Sequence, residues 1–300
     1  MTIDLDSRTD DRASKTPSSF GEAIAEQAQL LPVVRQGVEA ASEATRVVAV
    51  EAPIAIEVNG LGYAVMMATP ADLVDFAVGF SFTERLIDRL SDVIDIEPIC
   101  LEKGWLVRIR IEERCFANVR ERVRHRLTDS GCGICGLENL EQALRPLGRI
   151  EAVPRIKPSA IFSALSQLRS HQPLGQATGA VHAAALCDPL GRIVSVREDV
   201  GRHNSFDKLI GAATRNTVRL DEGFVLLSSR CSYELVEKAA IAGIPLLATI
   251  SAPTTLAVQR SKSCGLTLVS LARADAMLVM NDPHDIFSTT VMGARLSVST

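Results

Sequence analysis

The sequence has no run of about 18 apolar residues, so no helical membrane span is expected. Its first residues, Met1-Thr2-Ile3-Asp4-Leu5-Asp6, are acidic where a secretory signal would be basic, and no apolar stretch follows them. A large charge of one sign is also missing. The formal net charge is -4, which gives no electrostatic reason to expect a nucleic-acid partner. Cysteine is scarce and odd in number, 7 in 300 residues at scattered spacings, unlike a secreted disulfide framework. There is no GxGxxG and no P-loop pattern, so an ordinary dinucleotide or NTP site is not indicated. Internal repeats are absent. These absences leave a cytoplasmic protein with mostly reduced cysteines, and its 47% hydrophobic content is ample for one large core or two ordinary ones.

Residues 1 to about 44 are rich in Ser, Thr, Asp, Glu, Ala and Gln with weak periodicity, and read as a flexible extension. Order is expected from Val47. Two alternating runs, Ile54 to Val58 and Tyr63 to Met67, flank Asn59-Gly60 and predict a hairpin. Thr69-Pro70 reads as the cap and first turn of a helix running to about Leu86. Strands around Ile94 to Ile96 and Trp105 to Ile111 complete an α+β domain over 45–128. Arg120, Arg122, Arg124, His125 and Arg126 form a basic run, read as a solvated helix face or a docking surface for an acidic group. A loop-and-helix linker covers 129–150. From 151 to 300 an amphipathic helix at 158–169 and a hairpin with its turn at Asp188-Pro189-Leu190-Gly191 precede alternating elements. These are helix 203–213, strand 224–227, helix 232–242, strand 245–250, helix 254–263 and strand 266–271. Helices between apolar strands imply crossovers and a largely parallel sheet, hence an α/β fold whose C-terminal domain has three layers, α/β/α.

The densest chemical signal is Gly131-Cys132-Gly133-Ile134-Cys135-Gly136, followed by the helical pattern Leu137 to Leu144. A thiol at a helix N-terminus ionises more easily, and the thiolate attacks sulfur or binds metal. Reversible dithiol chemistry, carriage of a persulfide sulfur and a zinc site all remain open, in that order. A zinc site normally takes four ligands, and no second CxxC or nearby His pair is present. A second group of residues lies at the expected strand ends. Gly201, Arg202 and His203 follow one strand, Arg230 the next and Ser251 and Thr254 the one after, where open α/β sheets receive ligands and helix N-termini offer amides to anions. Each residue alone fits ordinary helix capping; together they suggest an anion-binding edge. His182 reads as a hydrogen-bonded structural histidine. Cys187 and Cys264 read as small core residues, and Cys231, beside Arg230 at a helix start, as the one with a chance of reactivity.

Taken in order, Ala68-Thr69-Pro70, the Gly131 to Gly136 loop, Thr178 to Ala184, Glu198 to Asn204 and Ser251 to Thr254 resemble the formate dehydrogenase accessory sulfurtransferase family of FdhD/NarQ type. The resemblance runs from about Val47 to Ile286. It implies a sulfur carrier that takes persulfide sulfur from a cysteine desulfurase onto Cys132, with Cys135 assisting. The sulfur would pass to the bis-molybdopterin guanine dinucleotide form of molybdenum cofactor before it enters the catalytic subunit of formate dehydrogenase. It further implies a C-terminal domain similar to the cytidine deaminase fold, a homodimer, and cofactor contacts from Leu271, Ala272, Arg273, Ala274, Asp275 and Ala276. Family members commonly carry an aromatic residue where this chain has Leu271 and a basic one where it has Ala276. The deaminase zinc signature requires a Glu two residues after the His, and His182-Ala183-Ala184 lacks it.

Overall fold

A computed structural model of the chain describes residues 26–127 and 146–287. In its N-terminal unit, β3 (Ala52–Val58), β4 (Leu61–Ala68), β5 (Val93–Leu101) and β6 (Gly104–Ile111) form a sheet of order β4-β3-β6-β5. Asn59 and Gly60 turn the first hairpin with φ of 47° and 81°. Two consecutive left-handed residues match the twist of the strands, and Asn-Gly adopts them at least cost. The Asn59 side chain also exchanges hydrogen bonds with the backbone of Ile111, so the turn is pinned to β6. Alternate residues Ile54, Ile56, Val58, Val107, Ile109 and Ile111 pack against Phe76, Ala77 and Phe80 of helix α1 (Leu73–Thr83) and Cys115 and Val119 of α2 (Glu113–Leu127).

Two expectations fail in this unit. Helix α1 begins at Leu73 with Asp72 as its N-cap, in a left-handed conformation, and not at Thr69-Pro70. Thr69 is engaged elsewhere: its backbone N–H, carbonyl and hydroxyl all bond to the C-terminal unit. Nor does order wait for Val47. Strands β1 (Ala28–Gln36) and β2 (Ala41–Ala49) pair over their full length as an antiparallel hairpin. Most of its side chains are exposed on both faces, so the alternation that betrays a strand is missing from the sequence. Arg46 ties the hairpin to the body by donating to the Thr178 carbonyl at 2.9 Å. The basic run lies on α2, but not all of it is solvated: Arg122 is largely covered and pairs with Glu84 at 2.9 Å.

The C-terminal unit is a six-stranded sheet of order β12-β11-β10-β9-β7-β8, comprising β7 (His182–Cys187), β8 (Ile193–Asp199), β9 (Phe224–Leu227), β10 (Leu246–Thr249), β11 (Thr267–Ser270) and β12 (Leu278–Asn281). Parallel pairing is confined to β9, β10 and β11; the β7–β8 hairpin joins β9 antiparallel, and β12 closes the other edge antiparallel. The sequence reading missed β12, whose residues are largely exposed at the sheet edge. The central strands are buried on both faces, which is why they read as unbroken apolar runs. One face is covered by α3 (Pro158–Leu168) through Ala160, Ile161, Ala164 and Leu168. The other is covered by α5 (Arg202–Arg215), α6 (Tyr233–Ile241) and α7 (Thr255–Cys264), giving the expected three layers. A short helix α4 (Pro173–Thr178) precedes β7.

The two sheets meet where α1 crosses α5. A Cβ on Gly79 would lie 1.8 Å from the Asp207 carbonyl oxygen, and one on Gly211 would lie 1.9 Å from that of Asp75. Only glycine allows backbones this close. Around the crossing, Asp207 accepts from Lys238 at 2.7 and 2.8 Å and from the Thr83 hydroxyl at 2.7 Å. Asp75 accepts from Arg197 at 2.7 Å and also from Arg215.

Candidate functional site

Strand direction decides which turns share an edge. β8 runs against β7 and β7 against β9, so the end of β8, the start of β7 and the ends of β9, β10 and β11 lie together; the registers His182↔Asp199, Ala184↔Leu227 and Thr249↔Leu227 fix this. The turns 200–203, 228–232, 250–254 and 271–276 therefore line one edge of the sheet. They interlock. Ala183 N–H donates to the Ser228 hydroxyl at 2.8 Å, Cys231 N–H to the Ala252 carbonyl at 3.2 Å, and Thr254 N–H to the Cys231 carbonyl at 2.9 Å. Leu271 N–H reaches the Ser251 carbonyl at 3.3 Å and Ala272 N–H the Thr249 carbonyl at 3.0 Å.

The candidate residues differ in what they have left to offer. Thr254 spends its side chain as the N-cap of α7, accepting from Ala257 N–H. The Ser251 carbonyl holds Leu271 and Thr249, while its side chain is half-buried. Leu271 takes a left-handed φ of 51°, and Arg273 N–H closes a tight turn onto the Ala276 carbonyl. Ala272 is turned into the core, so only its neighbours Arg273, Ala274, Asp275 and Ala276 are exposed. Arg230 is exposed as well. Cys231 is not the reactive thiol its position suggested: it is fully buried, and burial pushes its thiol up to about 12.

Gly201 is the N-cap of α5 and no side chain caps that helix. Arg202 and His203 begin it. His203 is brought down from 6.5 to about 4, first by burial and then by the charges of Arg202, Lys238 and Arg230, against a pull upward from Glu234. Glu234 Oε2 lies 3.6 Å from His203 Nε2. His182, at the start of β7, is lowered by burial and by Arg202. The Arg202 guanidinium thus acts on both histidines. Its Nε is sealed from solvent and has no hydrogen-bond partner. A buried charged donor left unpaired is costly, so this atom marks where an acceptor is wanted.

The rest of the Glu198 to Gly211 block serves the architecture, a role sequence reasoning did not assign. Glu198 caps α4, accepting from Leu174 N–H at 2.9 Å and Gly175 N–H at 2.8 Å. Asp199 pairs with fully buried Lys208 at 2.6 Å. Asn204 donates to the Met67 carbonyl at 2.8 Å, and Asp207 and Gly211 belong to the helix crossing. The signal available was the placing of Asp207 and Lys208 between Phe206 and the apolar pair Leu209-Ile210 of the helix.

Cys132 and Cys135 lie outside the described residues. The chain leaves α2 at Leu127 and is described again from 146. Leu147 packs on the C-terminal core and Ile150 N–H bonds to the Cys264 carbonyl at 2.9 Å. Among the described residues no three His, Cys, Asp or Glu side chains cluster as metal ligands, and no helix is long and apolar enough to cross a membrane.

Comparison with known proteins places the whole arrangement. The sulfur carrier protein FdhD of Bordetella petrii is 42% identical over 246 residues, covering 82% of this chain and 88% of that protein. The protein of the same name from Xanthomonas campestris pv. campestris is 45% identical over 237 residues, covering 79% and 84%. A crystal structure from Desulfotalea psychrophila, assigned as a formate dehydrogenase accessory protein, shares the fold with a TM-score of 0.69, at 24% identity over 86% of this chain and 98% of that one. The FdhD/NarQ family profile matches residues 49–287, from the last residue of β2 to the end of the described chain, and the chain belongs to the FdhD/NarQ family.

Proposed function

We propose that this protein is a sulfur carrier in formate dehydrogenase maturation, with Cys132 as the carrying thiol and a molybdenum cofactor as the acceptor. The Cys132 thiolate attacks the terminal sulfur of a cysteine desulfurase persulfide. The desulfurase thiolate leaves, and the sulfur rests on Cys132 as a persulfide. Attack of Cys135 on the inner sulfur then releases the carried atom as hydrosulfide and leaves a Cys132–Cys135 disulfide, so both electrons are accounted for. The acceptor is the bis-molybdopterin guanine dinucleotide cofactor, bound as substrate before delivery to the catalytic subunit of formate dehydrogenase. Its nucleotide ends are assigned to the strand-end edge, from Gly201, Arg202, His203, Arg230, Ser251 and Thr254 to the exposed Arg273 and Asp275. The protein works as a cytoplasmic homodimer in this reading.

The observation that supports the reading most is the edge itself. Four turns line the carboxyl ends of an open α/β sheet, the usual place for a nucleotide, and Arg202 Nε is buried there without an acceptor. Relatives more than 40% identical over most of the chain carry the name sulfur carrier protein FdhD. Binding energy from nucleotides held away from the metal would serve to orient the transfer. Mass spectrometry after incubation with a desulfurase and cysteine should show one added sulfur, lost in Cys132→Ala. An undiminished gain in that variant, or its full support of formate dehydrogenase activity, would defeat the scheme.

A further inference from the structure

We propose that Asp199 is a positioning residue: it fixes the 199–204 turn so that Arg202 is presented to the phosphate groups of a nucleotide at the strand-end edge. The inference rests on the nucleotide reading given above. Asp199 is fully buried and both carboxylate oxygens are saturated. Oδ1 accepts from Gly201 N–H at 2.7 Å and from Asn204 Nδ2 at 3.0 Å. Oδ2 accepts from Lys208 Nζ at 2.6 Å and from Thr69 N–H at 3.0 Å.

These four bonds do different things. The two at Oδ1 bracket Arg202 and His203, one just before them and one just after. The two at Oδ2 tie the same carboxylate to the N-terminal unit, where Lys208 also reaches the Thr69 carbonyl at 2.9 Å and Thr69 Oγ1 receives Val200 N–H at 3.2 Å. Gly201 completes the device. A Cβ there would sit 2.6 Å from Asn204 Nδ2, so a side chain at this position would push the Asn204 bracket away.

A buried ion pair is weak evidence for stability, because desolvation of the two charges offsets most of their attraction. What Asp199–Lys208 does add is a fixed place for the turn. The one group that this fixing leaves unsatisfied is Arg202 Nε. Nε itself is covered, but Arg202 as a residue is only half-buried, so its guanidinium is within reach of an acceptor from outside, and the charged, multi-oxygen acceptor that a guanidinium matches best is a phosphate.

The test is calorimetric titration of the full chain with GDP and, separately, with guanosine, which lacks the phosphates. Asp199→Asn and Arg202→Ala should each weaken GDP by about tenfold, the loss of one charge-assisted contact. Guanosine affinity should stay within about twofold, and the double variant should bind GDP no more weakly than Arg202→Ala alone. Native-like GDP affinity in Asp199→Asn, equal losses for GDP and guanosine, or additive losses in the double variant would each overturn the positioning role and leave the nucleotide reading standing. If thermal melting shows that Asp199→Asn does not fold, Gly201→Ala, which keeps the Asp199–Lys208 pair, must show the same GDP-selective loss, and its absence overturns the proposal. Failure of the native protein to bind either probe overturns the nucleotide reading and the positioning role with it.

Discussion

The joint between the two sheets and the strand-end edge beside it are both rich in charge, and they treat that charge in opposite ways. At the joint, Asp199, Asp207, Lys208 and Lys238 are buried and each meets an opposite charge and at least one backbone or hydroxyl group. At the edge, Arg230, Arg273 and Asp275 are exposed and Arg202 keeps a buried donor unpaired. Saturation marks charges that hold the molecule together. Unsaturation marks charges held for something else. Asp199, Asp207 and Lys208 of the first set lie within a few residues of Arg202 of the second in the Glu198 to Gly211 block, so one motif carries part of both tasks.

The comparison is tested hardest at Asp207. Lys238→Met removes the cation from a carboxylate that has no access to water, and should destabilise the protein by about 3–5 kcal/mol. Asp207→Leu combined with Lys238→Met should recover most of that loss, since an apolar pair leaves no buried charge. Urea unfolding of the single and double variants reads both values, and a double variant as unstable as the single one would break the argument. Next in size is Gly211→Ala. The added methyl meets the Asp75 carbonyl at the helix crossing, and the overpacking should cost about 1–3 kcal/mol, visible as a lower urea midpoint with an unchanged slope. A neutral outcome would mean that the two helices separate at little cost.

His203 gives the third test, through pH. Its folded-state value of about 4 lies below the ordinary 6.5, so between these values the unfolded chain binds a proton that the native one does not. Stability should therefore fall as pH drops from about 6.5 toward 4, this residue contributing about 1–2 kcal/mol of the loss at pH 5. His203→Gln should make the melting temperature less dependent on pH over that window. An identical pH dependence in the variant would show that His203 is not held neutral by its surroundings.

The sequence revealed elements that bury a face or turn on a specific dipeptide. Asn59-Gly60 between alternating runs, and the apolar strands at Phe224 to Leu227 and Leu246 to Thr249, were legible for that reason. The β1–β2 hairpin and β12 were not, because exposed strands carry no period-2 signal. Thr69-Pro70 misled because a local capping pattern competed with three long-range bonds, and the long-range bonds won. The same blindness applies to the site. Strand order brings its four turns to one edge and could be anticipated from alternation of elements, but the division of Glu198 to Gly211 into saturated and unsaturated charges depends on partners up to 139 residues away. Cys231 looked reactive from its neighbour Arg230, and burial decides otherwise.

Arg202→Ala is the variant for which the comparison predicts the smallest change in stability, and for that reason it sharpens the contrast most. Its guanidinium contributes a buried donor without an acceptor, and its charge holds down both His182 and His203. Removing an unsatisfied group relieves a penalty of the same order as the packing it contributes, so the net change should stay within about 1 kcal/mol. Asp199, Asp207, Lys208 and Lys238 behave otherwise, because taking one partner away leaves the other stranded. Thermal melting of Arg202→Ala beside Lys238→Met measures the contrast directly. A loss in Arg202→Ala approaching that of Lys238→Met would place Arg202 among the structural charges and remove the edge's claim to hold a charge in reserve.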